Sequence, residues 1–146
     1  MKGDAAVISA LNEILGGELV AINQYFMHAR MCKNWGYKKL AQVIYEESID
    51  EMKHAQSLTD RILFLEGIPN LQKLDKINIG ETVPEQLQSD LNLEKIGIVR
   101  LKKAMDVCAQ AKDHTSYDLL KLILADEERH LDWLESQLFI IEQIDL

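Results

Sequence analysis

The sequence predicts an all-α fold, an antiparallel four-helix bundle with a long crossover between its second and third helices. Four long segments repeat apolar residues at helical spacing, and only 2 prolines and 7 glycines interrupt the chain. A stretch of 16 residues, 67 to 82, has no sustained helical period. It could extend to about 50 Å, enough to cross the whole bundle. With 146 residues and 47% hydrophobic content, residues 1–146 are expected to form one domain.

The charge balance limits the classes of partner. The formal net charge is −8 and the chain has no basic cluster, which argues against nucleic acid or an anionic membrane as the main partner and favours a cation. No uninterrupted apolar run approaches the ~18 residues of a membrane span, and the start at Met1 lacks a signal-peptide core, so we expect a cytoplasmic protein. Cys32 and Cys108 form no C-x-x-C motif and are predicted to be reduced, partly buried thiols.

The first helix is predicted from Asp4, which can act as an N-cap, to Trp35, with Gly36 as its stop signal. Its apolar stripe comprises Val7, Leu11, Ile14, Leu15, Ile22 and Tyr25. Glu18 lies inside this stripe, so a carboxylate is expected in the core.

The second helix is predicted from Tyr37 to Leu65, and it ends at the turn signal Gly67-Ile68-Pro69. Its inward stripe comprises Leu40, Ile44, Glu47, Glu51, His54, Leu58, Ile62 and Leu65. The core positions therefore become polar at the middle of the helix.

The third and fourth helices repeat this arrangement. The third starts near Pro84, a favourable first-turn proline, and its stripe comprises Leu87, Leu91, Glu94, Ile98, Leu101, Met105 and Cys108. The fourth runs from Thr115 to Gln143, and its stripe comprises Leu120, Ile123, Glu127, His130, Leu134, Leu138 and Ile141. Each stripe again has polar residues at its centre.

These polar positions form one pattern that occurs twice: a glutamate, then Glu-x-x-His 33 residues later. The six residues are Glu18, Glu51, His54, Glu94, Glu127 and His130. A glutamate and a histidine three residues apart share a helix face and can bind one transition metal. If the first two helices fold back at Gly36, Glu18 and His54 both lie about 27 Å from the turn and meet at one level.

A Glu-x-x-His pair on a helix is usually without function, and a core histidine is usually a satisfied polar residue. Four convergent carboxylates would however be costly to ionise in a low-dielectric core, unless they were protonated. Two divalent cations would neutralise them in formal charge. The pattern therefore favours a site for two metals.

The chain also resembles the bacterioferritins over nearly its whole length. The similar runs are MKGD, ELVAINQYF, ESIDEMKHA, RILFLEGIPNLQ and HLDWLE, and the ligand set is that of ferritin-like di-iron bundles. The resemblance implies an iron-storage subunit and ferroxidase that oxidises Fe(II) with O₂ or H₂O₂. In this family Glu18 and His54 would hold one iron, Glu94 and His130 the other, and Glu51 and Glu127 would bridge them.

The resemblance implies further roles near this centre. Tyr25 is similar to the redox-active tyrosine of the family, although a core aromatic with a bonded hydroxyl would show the same pattern. Glu46 and Asp50 lie where family residues on the cavity side help iron to pass inward, but the family often has a histidine at the position of Glu46. Glu47, on the inward stripe of the second helix, is a further candidate site residue. Met52 points away from the six ligands, since it follows Glu51 by 100° around the helix. Interface packing is the usual role of such a methionine; the family instead uses it, with its symmetry mate, as the axial ligand of haem b.

The assembly that the resemblance implies is a homo-oligomer of two-fold dimers, normally a hollow cage of 24 subunits. Family members usually continue into a short fifth helix, which is expected to be missing because this chain stops at Leu146. A small iron–sulfur ferredoxin could dock beside the crossover on Ile68, Glu81 and Glu85. Asn34, Glu66 and Asp132 could line an iron pore at subunit junctions.

Two other functions remain open at this point. One is a di-iron peroxide reductase similar to rubrerythrin, which would normally add a module with paired C-x-x-C motifs. The other is a haem-bearing structural or electron-transfer subunit without turnover, which would have no use for six inward ligands. His28 and His114 have no partners at ligand spacing and are predicted to be ordinary histidines.

Overall fold

The computed structural model describes residues 1–144 and confirms the predicted all-α class. Its elements are α1 (Ala5–Asn34), α2 (Lys38–Phe64), α3 (Val83–Gln110) and α4 (His114–Ile144), and residues 1–144 include no strand. The predicted helix boundaries are confirmed to within a few residues. The expected lack of a fifth helix concerns the chain end at Leu146, which lies outside the described residues.

The contacts between helices fix their directions. The backbone N–H of Gly3 donates to the carbonyl of Leu65 at 3.0 Å, so the start of α1 lies beside the end of α2 and the two helices are antiparallel. The Cys32 thiol, near the end of α1, donates at 3.2 Å to the Gln86 side chain near the start of α3. Since α2 and α3 both run antiparallel to α1, they are parallel to each other, as the long crossover predicts.

The crossover, residues 65–82, runs along α1 and is held there by side chains of that helix. The Asn12 amide donates to the carbonyl of Ile68 at 3.1 Å. About four turns further along α1, the His28 imidazole accepts the backbone N–H of Gly80 at 3.1 Å. These contacts satisfy backbone groups of a segment that has no helix of its own.

The predicted turn signal after α2 begins at Gly67. The residue with positive φ at this helix end is Glu66, at 64°. Gly67 is needed for a different reason, because a Cβ atom there would lie 2.7 Å from Cγ2 of Ile8. The glycine therefore permits close packing of the crossover against α1.

The core consists of apolar clusters at the two ends of the bundle with a polar layer between them. The larger cluster includes Val7, Leu11, Leu58, Ile62, Leu101, Met105, Leu120 and Ile123. The clusters nearer the other end include Tyr25, Cys32, Ile44, Leu87, Leu91 and Leu134. The polar layer is thereby fixed at mid-bundle height by apolar packing on both sides.

Both cysteines are free and buried, which agrees with the predicted reduced thiols but places them deeper than expected. Burial raises the pKa of the Cys32 thiol to about 11.

Helix α1 is long and apolar enough, by length and composition, to cross a membrane. Glu13 and Glu18 interrupt this helix, so it has no unbroken apolar run of that length. In the bundle, α1 buries its inward stripe against the other helices, as expected for a core helix.

Candidate metal centre

The six predicted ligand side chains converge at the middle of the bundle. One comes from α1, one from α3, and two each from α2 and α4, and all are between 0% and 7% exposed. Their donor atoms form two overlapping groups, each within 4.8 Å: Glu18, Glu51, His54 and Glu127; and Glu51, Glu94, Glu127 and His130. Because Glu51 and Glu127 belong to both groups, their carboxylates lie where two neighbouring cations could share them.

The histidine of α2 faces three of these carboxylates. Its Nδ1 atom lies 3.5 Å from Oε2 of Glu18, 3.4 Å from Oε2 of Glu51 and 3.2 Å from Oε1 of Glu127. The side chain of His54 therefore presents one ring nitrogen to the carboxylate cluster, as a metal ligand must.

The histidine of α4 occupies the equivalent place in the other group. Nδ1 of His130 lies 3.1 Å from Oε1 of Glu51, 3.7 Å from Oε1 of Glu94 and 3.9 Å from Oε1 of Glu127. The two halves of the site thus repeat each other in structure as they do in sequence.

Each imidazole is oriented by an aspartate of the opposite helix. Nε2 of His54 lies 2.8 Å from Oδ2 of Asp126, and Nε2 of His130 lies 3.2 Å from Oδ2 of Asp50. A carboxylate at Nε2 holds the proton on that nitrogen, so Nδ1 is the atom that would bind a metal, once the metal displaces any proton there. The sequence analysis did not identify Asp126. The signal was present, since both motifs read Asp-Glu-x-x-His.

Glu51 is ionised in the metal-free site. Burial raises the pKa of its carboxyl group, but the neighbouring imidazoles of His130 and His54 outweigh burial and hold the pKa at about 2. For His130, burial lowers the pKa, while Glu51 and Glu94 raise it to about 11. The pair is therefore a carboxylate beside an imidazolium.

Glu127 behaves in the opposite way. Burial and the nearby charges of Glu51 and Glu94 raise the pKa of its carboxyl group, so it holds a proton without metal. Burial likewise raises the pKa of Glu47, one turn before Glu51 on α2, to about 8. Glu127 and Glu47 therefore take up protons in the metal-free site, and a cation would displace them.

The polar atoms at the centre fit a metal better than an internal hydrogen-bond network. Among the buried polar atoms that make no well-aligned hydrogen bond within residues 1–144, five lie at this centre: Oε2 of Glu18, Oε1 of Glu51, Oε2 of Glu94, Oε1 of Glu127 and Nδ1 of His130. A buried polar atom without a partner costs roughly 1–3 kcal/mol. Oxygen and imidazole donors at this density suit a divalent transition metal.

Tyr25 is completely buried on α1 and joins the site through its hydroxyl, which donates to Oε1 of Glu94. Burial, followed by the charge of Glu94, raises the pKa of this tyrosine well above its usual value. The hydroxyl therefore stays protonated as a hydrogen-bond donor.

The other predicted residues lie at different distances from the centre. Asp50 reaches it through His130, and Glu47 is buried beside it, whereas Glu46 is exposed and accepts a hydrogen bond from Gln42 at 3.0 Å. Met52 is 51% exposed on the outside of α2, away from the six ligands.

The residues for which the resemblance implies a ferredoxin contact or an iron pore lie away from the centre. Asn34, Glu66, Ile68, Glu81, Glu85 and Asp132 are all exposed. Asn34 and Glu66 lie at opposite ends of the bundle, so they could meet only across different chains. His28 is a core histidine paired with buried Asp90 at 2.9 Å, and His114 is exposed; neither belongs to the two ligand groups.

Comparison with known proteins agrees with this geometry. The sequence model of the ferritin-like domain matches residues 8–144. The chain is 47% identical to a bacterioferritin of Mycobacterium leprae (strain TN), over 99% of this chain and 91% of that protein. It is 52% identical to a bacterial ferritin of Synechocystis sp., over 100% of this chain and 94% of that protein. A bacterioferritin of Streptomyces coelicolor is 48% identical over 99% of this chain and 86% of its own length.

Proposed function

Because the chain belongs to the bacterioferritins of the ferritin-like family, we propose that it stores iron and oxidises Fe(II) to Fe(III) at the six-residue centre. The observation that carries this proposal is the pair of overlapping ligand groups that share Glu51 and Glu127. A single structural cation would need only one group. Two groups with shared carboxylates suit a reaction that takes one electron from each of two irons.

We assign Glu18 and His54 to one Fe(II), Glu94 and His130 to the other, and the two shared glutamates to a bridging position. Two Fe(II) ions supply the two electrons that reduce O₂ with two protons to H₂O₂, or H₂O₂ with two protons to two water molecules. Carboxylate and imidazole ligands suit both substrate and product, since anionic oxygen donors stabilise the higher charge of Fe(III).

The protein supplies orientation and charge to this reaction. Asp126 and Asp50 keep each imidazole turned with Nδ1 towards the substrate metals. Glu127 gives up its proton when a cation arrives, because the cation removes the repulsion that raised its pKa. Tyr25 fixes one carboxylate oxygen of Glu94 and leaves Oε2 of that residue free for the metal.

Haem b and the oligomer stay predictions that rest on the family. Met52 fits the expected axial ligand, because its thioether is half exposed on the outer face of α2 beside exposed Tyr45 and half-buried Ile49. A two-fold axis at this face would bring two such thioethers together. The cage of 24 subunits, the ferredoxin contact and the cytoplasmic location also stay predictions.

Stopped-flow absorbance tests the proposed reaction. Two Fe(II) ions per metal-free subunit are mixed with O₂ or H₂O₂, and wild type is compared with Glu18→Ala and Met52→Leu. Rapid oxidation should be lost in Glu18→Ala, because one iron loses a terminal carboxylate, and should persist in Met52→Leu.

Met52→Leu also serves as the control for the haem prediction, since haem absorbance should decrease in this variant alone. Equal oxidation rates in all three proteins would contradict a catalytic role for the centre. They would favour a passive store or a haem-bearing subunit without turnover.

A further inference from the structure

A second buried polar cluster lies outside the metal centre, where α1 and α3 meet the end of the crossover. Its side chains recur at four-residue spacing, which places them on one face of each helix. They are Gln24, His28 and Cys32 of α1 and Gln86 and Asp90 of α3, each at most 1% exposed. None of them belongs to the two ligand groups of the metal centre. Buried polar groups are normally hydrogen-bonded, so the partners of these side chains show what the cluster holds in place.

The cluster holds the last residues of the crossover. The backbone N–H of Gly80 donates to Nε2 of His28, and the carbonyl of Gly80 accepts from the Gln86 amide, both at 3.1 Å. The backbone N–H of Asn78 donates to the Gln24 side chain, also at 3.1 Å. A Cβ atom at Gly80 would overlap the backbone of Gln86, so the crossover lies directly against the start of α3. The end of the crossover is therefore clamped between α1 and α3.

These contacts define the charge state of His28. A backbone N–H can only donate, so Nε2 of His28 carries no proton while it accepts from Gly80. Nδ1 lies 2.9 Å from Oδ1 of Asp90, which also accepts from Gln24 at 2.8 Å. The single proton of the neutral imidazole therefore lies on Nδ1 and is donated to Asp90. The contact between His28 and the crossover exists only while the imidazole is neutral.

Protonation of His28 would break the contact to Gly80. A proton on Nε2 would set two buried N–H donors against each other, and neither could form a bond there. The carboxylate of Asp90 stabilises an imidazolium through Nδ1, so the ring can take up the proton while it stays beside α3. The cost of protonation therefore falls on the contact with the crossover.

The other ionisable groups around this pair belong to three helices. The charge of Asp90 acts on Tyr25 of α1 and Glu47 of α2, and Glu94 follows Asp90 by one turn on α3. Helix α4 brings no ionisable group of the described residues within ion-pair distance of the His28 ring. Burial raises the pKa of the Cys32 thiol to about 11, so this thiol stays neutral in acid.

We propose that His28 is an acid-sensitive latch that holds residues 78–82 of the crossover against α1 and α3. Histidine side chains typically change charge between about pH 5 and pH 8. The closed state binds the neutral imidazole, so the latch is complete at the upper end of this range and weakens as the pH falls. The proposal goes beyond the proposed ferroxidase function and does not depend on it.

Hydrogen exchange of the wild-type full chain, followed by mass spectrometry, tests the latch without any substitution. After correction for the intrinsic exchange rate, protection of the amides of residues 78–80 should fall about tenfold between about pH 7.5 and about pH 5. Asn70 is the internal control. Its N–H donates at 2.8 Å to the side chain of Asn12, which does not titrate, so its protection should stay within about twofold.

Two substitutions of His28 separate its two nitrogens. In His28→Gln the side-chain carbonyl can take the place of Nε2 and accept from Gly80, but it cannot be protonated, so protection should stay high at both pH values. In His28→Asn the shorter amide can donate to Asp90 but does not reach Gly80, so protection should be low at both. His114→Gln, at an exposed position of α4, is the matched control and should keep the wild-type response.

The reactivity of Cys32 towards dithiodipyridine, which also reacts with thiols in mild acid, supplies a second measurement. The Cys32 thiol donates to Gln86 at 3.2 Å, so opening of the latch should expose it. Relative to free glutathione, its rate in Cys108→Ala should rise about tenfold between about pH 7.5 and about pH 5. Cys108, buried in the larger apolar cluster, should change less than about twofold in Cys32→Ala, which excludes general unfolding.

Three results would overturn the proposal. The first is unchanged protection of residues 78–80 in wild type across this pH range, and the second is an equal loss of protection at Asn70. The third is an acid response that survives in His28→Gln. Burial raises the pKa of Asp90, and its Oδ2 atom makes no hydrogen bond within residues 1–144, so a surviving response would assign the proton to Asp90 instead.

Discussion

Replacement of Glu51 by glutamine should destabilise the metal-free protein, although it removes a buried charge. Folding lowers the pKa of this carboxyl group from 4.5 to about 2. At about 1.4 kcal/mol per pKa unit, the folded state favours the ionised form by about 3 kcal/mol. The shift of His130 is larger, but it also includes Glu94 and Glu47, so the Glu51 shift is the better measure of what glutamine removes.

The assay is urea unfolding of EDTA-treated wild type and Glu51→Gln at equal protein concentration, followed by circular dichroism. At pH 7 the unfolding free energy of the variant should be lower by about 3 kcal/mol. Because the folded pKa is depressed, this contribution is complete above pH 4.5 and is lost as the pH falls towards about 2. The two proteins should therefore converge in stability across that window.

Glu127→Gln supplies the contrast, because Glu127 is already protonated in the metal-free protein. Its loss should change the unfolding free energy by less than about 1 kcal/mol. Exposed Glu128→Gln controls for the general change of charge. A loss below about 1 kcal/mol in Glu51→Gln at pH 7, or equal losses in Glu51→Gln and Glu127→Gln, would refute this account of the site's charges.

Two further predictions concern positions outside the six ligands. Asp126→Asn should weaken Co(II) binding about 10- to 100-fold in a calorimetric titration, because His54 loses the carboxylate that orients its ring; unchanged affinity would count against that role. Gly67→Ala should lower the free energy of unfolding by roughly 1–3 kcal/mol, since its Cβ would lie 2.7 Å from Ile8. The matched change Gly97→Ala, with open space around it, should instead raise the free energy of unfolding by up to about 1 kcal/mol. Thermal unfolding of both variants tests this, and a Gly67→Ala variant at least as stable as Gly97→Ala would contradict it.

The sequence was informative about local structure and about the height of the site. Asp4 and Pro84 marked helix starts, and both are confirmed as an N-cap and a first-turn proline. Helical periodicity also identified the polar positions within the inward stripes. Because α-helical geometry is regular, counting residues from the turn at Gly36 was enough to predict that Glu18 and His54 lie at one level.

Helical periodicity and residue counting did not predict the contacts between segments that are far apart in the chain. The pairing of each imidazole with an aspartate of the opposite helix depends on how α2 and α4 face each other, which periodicity does not specify. The close approach of Gly67 to Ile8 also joins segments that are far apart in the chain, and the sequence did not predict it.

The sequence by itself therefore determined the four helices, their inward faces and six candidate ligands, because these follow from repeat distances along one helix. Only the tertiary structure decided which carboxylates lie within reach of both histidines, and that each imidazole faces an aspartate of the opposite helix. Those features depend on the separation and rotation of packed helices. Contacts between side chains far apart in the chain determine this separation and rotation, so a local sequence pattern does not predict them.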